Sequence, residues 1–169
     1  MQILTLGHPD LQKVAAEVTD FSSDEILSDI NTLKTAMKKH GGMGIAGPQL
    51  GIDRRILLIH SKPNTRYPDA PHSDLMVLIN PQFQENIDQE EGWEGCLSVP
   101  GLRGLVSRST EVSVKYQDEE GEWYEKRFEG FLARIFLHEN DHLDGMTFVN
   151  RVADNSKLIS EMEYFRQFS

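Results

Sequence analysis

The segment His138-Glu139-Asn140-Asp141-His142 constrains this chain more than any other, because its two imidazoles act together only on an α-helix. There residues i and i+4 stack on one face, so both rings reach a common metal ion. This is the HExxH arrangement, in which His138 and His142 bind the metal and Glu139 acts as general base. The competing reading is a helix with two surface histidines among ordinary charged neighbours. A catalytic metal site takes three protein ligands and keeps one position open for water, so a third ligand is required.

Candidates for that ligand are Cys96, the other four histidines and the carboxylates. Cys96 lies in Glu94-Gly95-Cys96-Leu97-Ser98 and is the single cysteine of the 169 residues. A thiolate with two imidazoles suits zinc or ferrous iron. The distance in sequence is large, 138 − 96 = 42 positions, so only the fold can join them. A lone cysteine forms no internal disulfide, which agrees with a reducing compartment; its ordinary role is that of a small buried hydrophobe. A third segment, Gly42-Met43-Gly44-Ile45-Ala46-Gly47-Pro48-Gln49-Leu50-Gly51, is dense in small residues, as where backbone must approach a ligand or another chain. Taken alone it reads as a plain loop leaving a helix, and it lacks the Gly-Lys-Ser/Thr ending of a phosphate loop.

Around these segments the pattern is that of an α+β fold: a single domain over residues 1–169, with antiparallel or mixed β-sheets packed around a central metal-binding helix. Ser22-Ser23-Asp24-Glu25 reads as a capping box. Ile26, Ile30, Leu33 and Met37 then share a helix face, and Gly41-Gly42 ends it. Residues 55–60 and 75–79 are short apolar runs expected as strands. Residues 111–116 alternate and continue through 118–121 into 123–128 as a hairpin. The second helix is expected over 130–144, where Phe131, Leu132, Ile135, Phe136 and Leu143 cover more than one stripe, so that it is buried on several sides. Gly145 follows as its C′ residue, and a third helix is expected over 156–168. Hydrophobic residues at 38% and charged residues at 26% are ordinary for a globular protein, and no apolar run matches a membrane span. The start shows no secretory leader, which with the single cysteine points to the cytoplasm. A net charge of −10 argues against binding a nucleic-acid backbone as the main activity.

Together the three motif segments resemble the peptide deformylase family, whose pattern is a Gly-x-Gly-Leu-Ala-Ala-Pro-Gln loop, a Glu-Gly-Cys-Leu-Ser strand and a Gln-His-Glu-x-Asp-His helix. The matches here are residues 42–49, 94–98 and 138–142, in the same order, and residues 3–14 and 98–108 also look like the family. Leu97 resembles the bacterial branch. This chain departs at Ile45 for Leu, at Gly47 for the second Ala and at Leu137 for Gln. Gly47 is expected to loosen the loop that positions Gln49, and Leu137 removes a polar group beside the site.

The resemblance implies removal of the formyl group from the N-terminal formyl-methionine of new polypeptides. Cys96, His138 and His142 would hold Fe(II), with Zn, Ni or Co as substitutes. Glu139 would be the base, and the Gln49 amide and the Leu97 backbone N–H would serve as oxyanion donors. Gly44 and Ile45 would pair with an extended peptide substrate, and Ile45, Phe131, Arg134 and Ile135 would line the methionine pocket. Spacing also places 131, 134, 135, 138 and 142 on one helix face, although core packing is the plain alternative for Phe131 and Ile135. Arg103 would bind a substrate carbonyl or brace the loop. The rival readings are a general HExxH metallopeptidase and a catalytically impaired deformylase-like protein that binds metal or peptide. Bacterial relatives dock on ribosomes through a basic C-terminal helix; here residues 156–166 balance Lys157 and Arg166 against Glu161 and Glu163, so at most a weak, transient ribosome contact is expected.

Overall fold

The computed structural model describes residues 2–64, 67–86 and 88–168. Its elements run α1 (Asp24–His40), β1 (Gly44–Ala46), β2 (Ile56–Ile59), β3 (Met76–Glu85), β4 (Gln89–Cys96), β5 (Val99–Ser109), β6 (Glu111–Gln117), β7 (Trp123–Glu129), α2 (Gly130–Leu143), β8 (Leu158–Ser160) and α3 (Glu161–Phe168). Two antiparallel sheets form, one in the order β1-β2-β3-β6-β7 and the other in the order β4-β5-β8. The fold is α+β, and no helix of the described residues is long and apolar enough to cross a membrane.

The uniformly apolar strand β2 is explained by burial on both faces. Its alternate residues Leu57 and Ile59 join Phe136, Leu137 and Leu143 of α2, whereas Ile56 and Leu58 join Ile26, Ile30 and Leu33 of α1. The helix α2 thus lies on one face of the larger sheet and α1 on the other. From Ile135 to Leu143 every α2 residue is buried, as the breadth of its apolar set implies. Gly130, at φ 53°, permits the abrupt passage from β7 into α2, and Gly145, at φ 72°, follows its end.

Some boundaries differ from the sequence reading. The α1 cap is Ser23, whose hydroxyl accepts from Glu25 N–H, while Ser22 bonds Asp20, so the box beginning at Ser22 does not form. Strand β3 continues past Pro81 through a bulge at Asn80, whose φ of 49° is stabilised by side-chain bonds to Val18 and Gln117. The third helix is shorter than expected. Asn155–Lys157 form a 3₁₀ turn, and Leu158–Ser160 are drawn into the smaller sheet by pairing with Leu102, Arg103 and Gly104.

Candidate active site

Strand β4 ends at Cys96, directly opposite the face of α2 that carries His138 and His142. The potential ligand atoms of these three residues lie within 4.8 Å of one another. Cys96 Sγ is 3.2 Å from His142 Nε2. Burial alone would push the Cys96 thiol up, but the His142 charge and hydrogen bonds from both histidines outweigh it and hold the thiol well below its ordinary value. Burial would likewise lower His138, yet its bonds to Cys96 and Glu94 keep it well above the usual imidazole range. One thiol and two imidazoles so placed are a donor set that suits a divalent transition-metal ion, which binds them in their deprotonated forms.

Glu139 adjoins this cluster, buried, with Oε2 lacking any hydrogen-bond partner among the described residues. Burial pushes its carboxyl up to about 7, against the opposing charges of His138 and His142. Its side chain lies across Gly44 so closely that a Cβ there would sit 2.6 Å from Glu139 Cγ. Gln49 belongs to the 3₁₀ turn Gly47–Leu50. Its Oε1 accepts from Ala46 N–H at 2.9 Å, while Nε2 donates to Ser98 Oγ at 3.2 Å and faces Cys96 Sγ at 3.6 Å. Those contacts orient the amide with its N–H groups toward the cluster.

The family model for polypeptide deformylase matches residues 1–158. The chain belongs to this family. It is 42% identical over 165 residues to Peptide deformylase 2 of Nostoc sp., covering 97% of this chain and 92% of that protein. It is 45% identical over 157 residues to Peptide deformylase 1 of Prochlorococcus marinus, covering 92% and 82% respectively. Among solved structures, the Met-Ala-Ser bound class I type b peptide deformylase of Acinetobacter baumannii matches with a TM-score of 0.87 at 39% identity, over 90% of this chain and 98% of that one.

Within this deformylase fold, one cleft brings together Gly44, Gln49, Cys96, Leu97, Phe131, Arg134, Ile135, His138 and Glu139. His142 lies fully buried behind Cys96. Two expected substrate residues are placed elsewhere. Strand alternation turns the Ile45 side chain away from the cleft into the α1 core, leaving only its backbone on β1, the edge strand of the larger sheet. Arg103 is wholly buried, stands on the face of the smaller sheet that α3 covers, and is not among the described residues that line the cleft. Arg134 does line it, but its guanidinium is held flat over Gly92 by Glu94 and the carbonyls of Glu90 and Val106.

Gly47 does the opposite of loosening its loop. A Cβ there would lie 2.8 Å from the carbonyl oxygens of both Ile52 and Arg54, so glycine lets residues 52–54 close against the turn that carries Gln49. Leu137 is part of the main core. His138 is oriented by Glu94 instead, whose Oε2 is 2.8 Å from Nδ1.

Glu94 is the main residue that the sequence reading quoted without assigning a role. It accepts from both Arg108 Nε at 2.9 Å and Arg108 Nη2 at 3.0 Å, and from Arg134 at 3.0 Å. Burial opposes its ionisation, but the hydrogen bonds from His138 and Arg108, with their charges, hold the carboxyl well below the usual carboxylate range. Arg108 extends the network to Asp141, which Arg151 also grips. The strand period was a usable signal for Glu94, since it stands two residues before Cys96 and shares its face. Tyr67 and Trp93 also line the cleft, with no sequence signal beyond their being aromatic.

Proposed function

We propose that this deformylase is a metal-dependent hydrolase, within a single catalytic domain over residues 1–169, that removes the formyl group from N-terminal formyl-methionine. The observation that carries the reading is the cluster of Cys96, His138 and His142, whose first two members share one cleft with Glu139 and Gln49. Cys96, His138 and His142 would hold the ion, Fe(II) by expectation, with Zn, Ni or Co compatible with the same donors. Such an ion, when bound, lowers the pKa of water and polarises a carbonyl.

The chain's own groups supply the rest. Glu139, raised toward neutrality by burial, is suited to accept a proton from the attacking water and to return it to the departing amine. The Gln49 Nε2–H and the Leu97 backbone N–H are assigned to the oxygen on which charge develops. Losing one such donor costs about 3–4 kcal/mol in the barrier. The edge of β1 at Gly44 and Ile45 offers backbone groups to an extended peptide. Phe131 and Ile135 give the first side chain an apolar wall, and the Met-Ala-Ser bound in the Acinetobacter protein is a peptide of that kind. The compartment that fits this substrate is the cytoplasm.

Metal analysis of anaerobically purified protein, combined with formate release from formyl-Met-Ala-Ser, tests the reading. Cys96→Ala should lose metal and activity together, whereas Glu139→Gln should retain metal and lose turnover by about 10²–10⁴-fold. Cleavage of internal peptide bonds without formate, or a fully active Glu139→Gln, would overturn it.

A further inference from the structure

The C-terminal helix α3 takes no part in the chemistry above, yet it packs directly behind the cleft. Tyr164 and Phe168 each lie against Trp93 with ring centroids 5.8 Å apart, and Trp93 lines the cleft. Arg103 fills the space between α3 and a second cleft residue, Tyr67. Its guanidinium carbon is 4.4 Å from the Tyr164 ring centroid, 5.1 Å from that of Phe165 and 5.3 Å from that of Tyr67. Its Nη2 donates to Glu161 at 3.2 Å and its Nη1 to the Tyr67 hydroxyl at 3.3 Å. Tyr67 in turn packs on Phe131, with centroids 5.2 Å apart. Phe131 precedes His138 by two helical turns, about 10 Å along α2, so the Tyr67–Phe131 pair closes the cleft at the end away from the ligand cluster.

We propose that Arg103 is a positioning residue through which α3 sets the far wall of the cleft, and thereby determines which first side chain of the peptide is accepted. The inference rests on the deformylase reading above. Taking a guanidinium out of water is costly, and an apolar residue of similar volume usually serves packing alone as well or better. A planar cation does what an apolar side chain cannot. It stacks on several rings at once and directs separate N–H groups at Tyr67 and Glu161, fixing Tyr67 relative to α3. The Nη1 and Nη2 groups of Arg103 make these two bonds, while its Nε has no hydrogen-bond partner among the described residues. Selectivity for the first side chain therefore depends on α3 residues that touch no substrate.

The test uses the full-length, metal-loaded enzyme and compares formyl-Met-Ala-Ser with formyl-Leu-Ala-Ser. Arg103→Met, Tyr164→Leu and Glu161→Ala should raise KM for the methionine peptide and lower the Met-over-Leu ratio of kcat/KM by about 3–10-fold, within the range a shape change in an apolar pocket allows. Their kcat and metal content should stay within twofold of wild type. Tyr67→Phe, which keeps the ring but loses the Arg103 bond, should shift the ratio in the same direction. A lowered thermal midpoint with an unchanged Met-over-Leu ratio in Tyr164→Leu and Glu161→Ala would overturn the inference, leaving α3 a stabilising element. Wild-type protein that releases no formate would overturn the deformylase reading itself, and so separates the two failures.

Discussion

Replacing Glu94 by glutamine removes a charge that three buried or half-buried cationic groups share. Arg108 binds both carboxylate oxygens, Arg134 binds Oε1 and His138 Nδ1 lies against Oε2, and the side chains of Glu94 and Arg108 are only 4% and 5% exposed. Glutamine keeps the shape, but its NH₂ group must face a donor wherever it replaces one of those oxygens. Removing one partner of a buried ion pair typically costs about 3–5 kcal/mol. In a chain of this size each kcal/mol moves the thermal midpoint by about 2–4 °C, so a fall of roughly 6–20 °C is expected. The same change releases the His138 ring, and losing a partner that orients a metal-binding histidine costs about 10–100-fold in metal affinity. Thermal unfolding and metal titration of Glu94→Gln measure both effects. The paired replacement Glu94→Leu with Arg108→Met should destabilise less than the two single changes summed, by a coupling of about 0.5–3 kcal/mol. A Glu94→Gln protein with its midpoint within about 2 °C of wild type and unaltered metal affinity would refute the argument.

Two glycines give sharper steric tests. Gly44→Ala puts a methyl group 2.6 Å from the present position of Glu139 Cγ, so the carboxylate must move; turnover should fall about 100-fold at unchanged metal content, measured by single-turnover formate release. Gly47→Ala restores the residue usual in the family but sets a Cβ 2.8 Å from two backbone oxygens; it should cost about 1–3 kcal/mol in denaturant unfolding, and an unchanged midpoint would show that residues 52–54 yield freely.

The parts of the site that could be read from sequence are those governed by local periodicity. The pairing of His138 with His142 needs only a helix, and the breadth of the α2 apolar set announced its burial. The same rule, applied to strands, assigns Glu94 to the face of Cys96 and turns Ile45 away from that of Gly44. Residues 42–51, dense in glycine, read by themselves as a loop, which hides the alternation of β1, and in the Glu94 segment Cys96 and Leu97 carry the more recognisable chemistry. Arg108 is a different case. Its partners Glu94 and Asp141 lie 14 and 33 positions away, and no local pattern encodes their meeting. The extension of β8 is similarly non-local, since three residues carry no measurable period and it is pairing with Leu102, Arg103 and Gly104 that makes them a strand.

The distribution of buried charge has a geometric reason. The helix α2 meets the larger sheet through an extensive apolar core, whereas the buried apolar residues of the smaller sheet reduce to Val99 and Val106 with Phe148 behind them. Yet that smaller sheet supplies Cys96, which must stand at a fixed distance and angle from two histidines on α2. Apolar contact is non-directional and tolerates sliding. Hydrogen-bonded ion pairs do not, and Glu94 and Arg108 from the smaller sheet grip Arg134, His138 and Asp141 of α2 at three successive levels of the helix. The cost of burying those charges falls where register between the two layers matters most for the ligand cluster. On this argument Asp141, one of the two middle positions of the HExxH segment, anchors the helix to Arg108 and Arg151, so that the motif carries its own registration to the sheet that holds the third ligand.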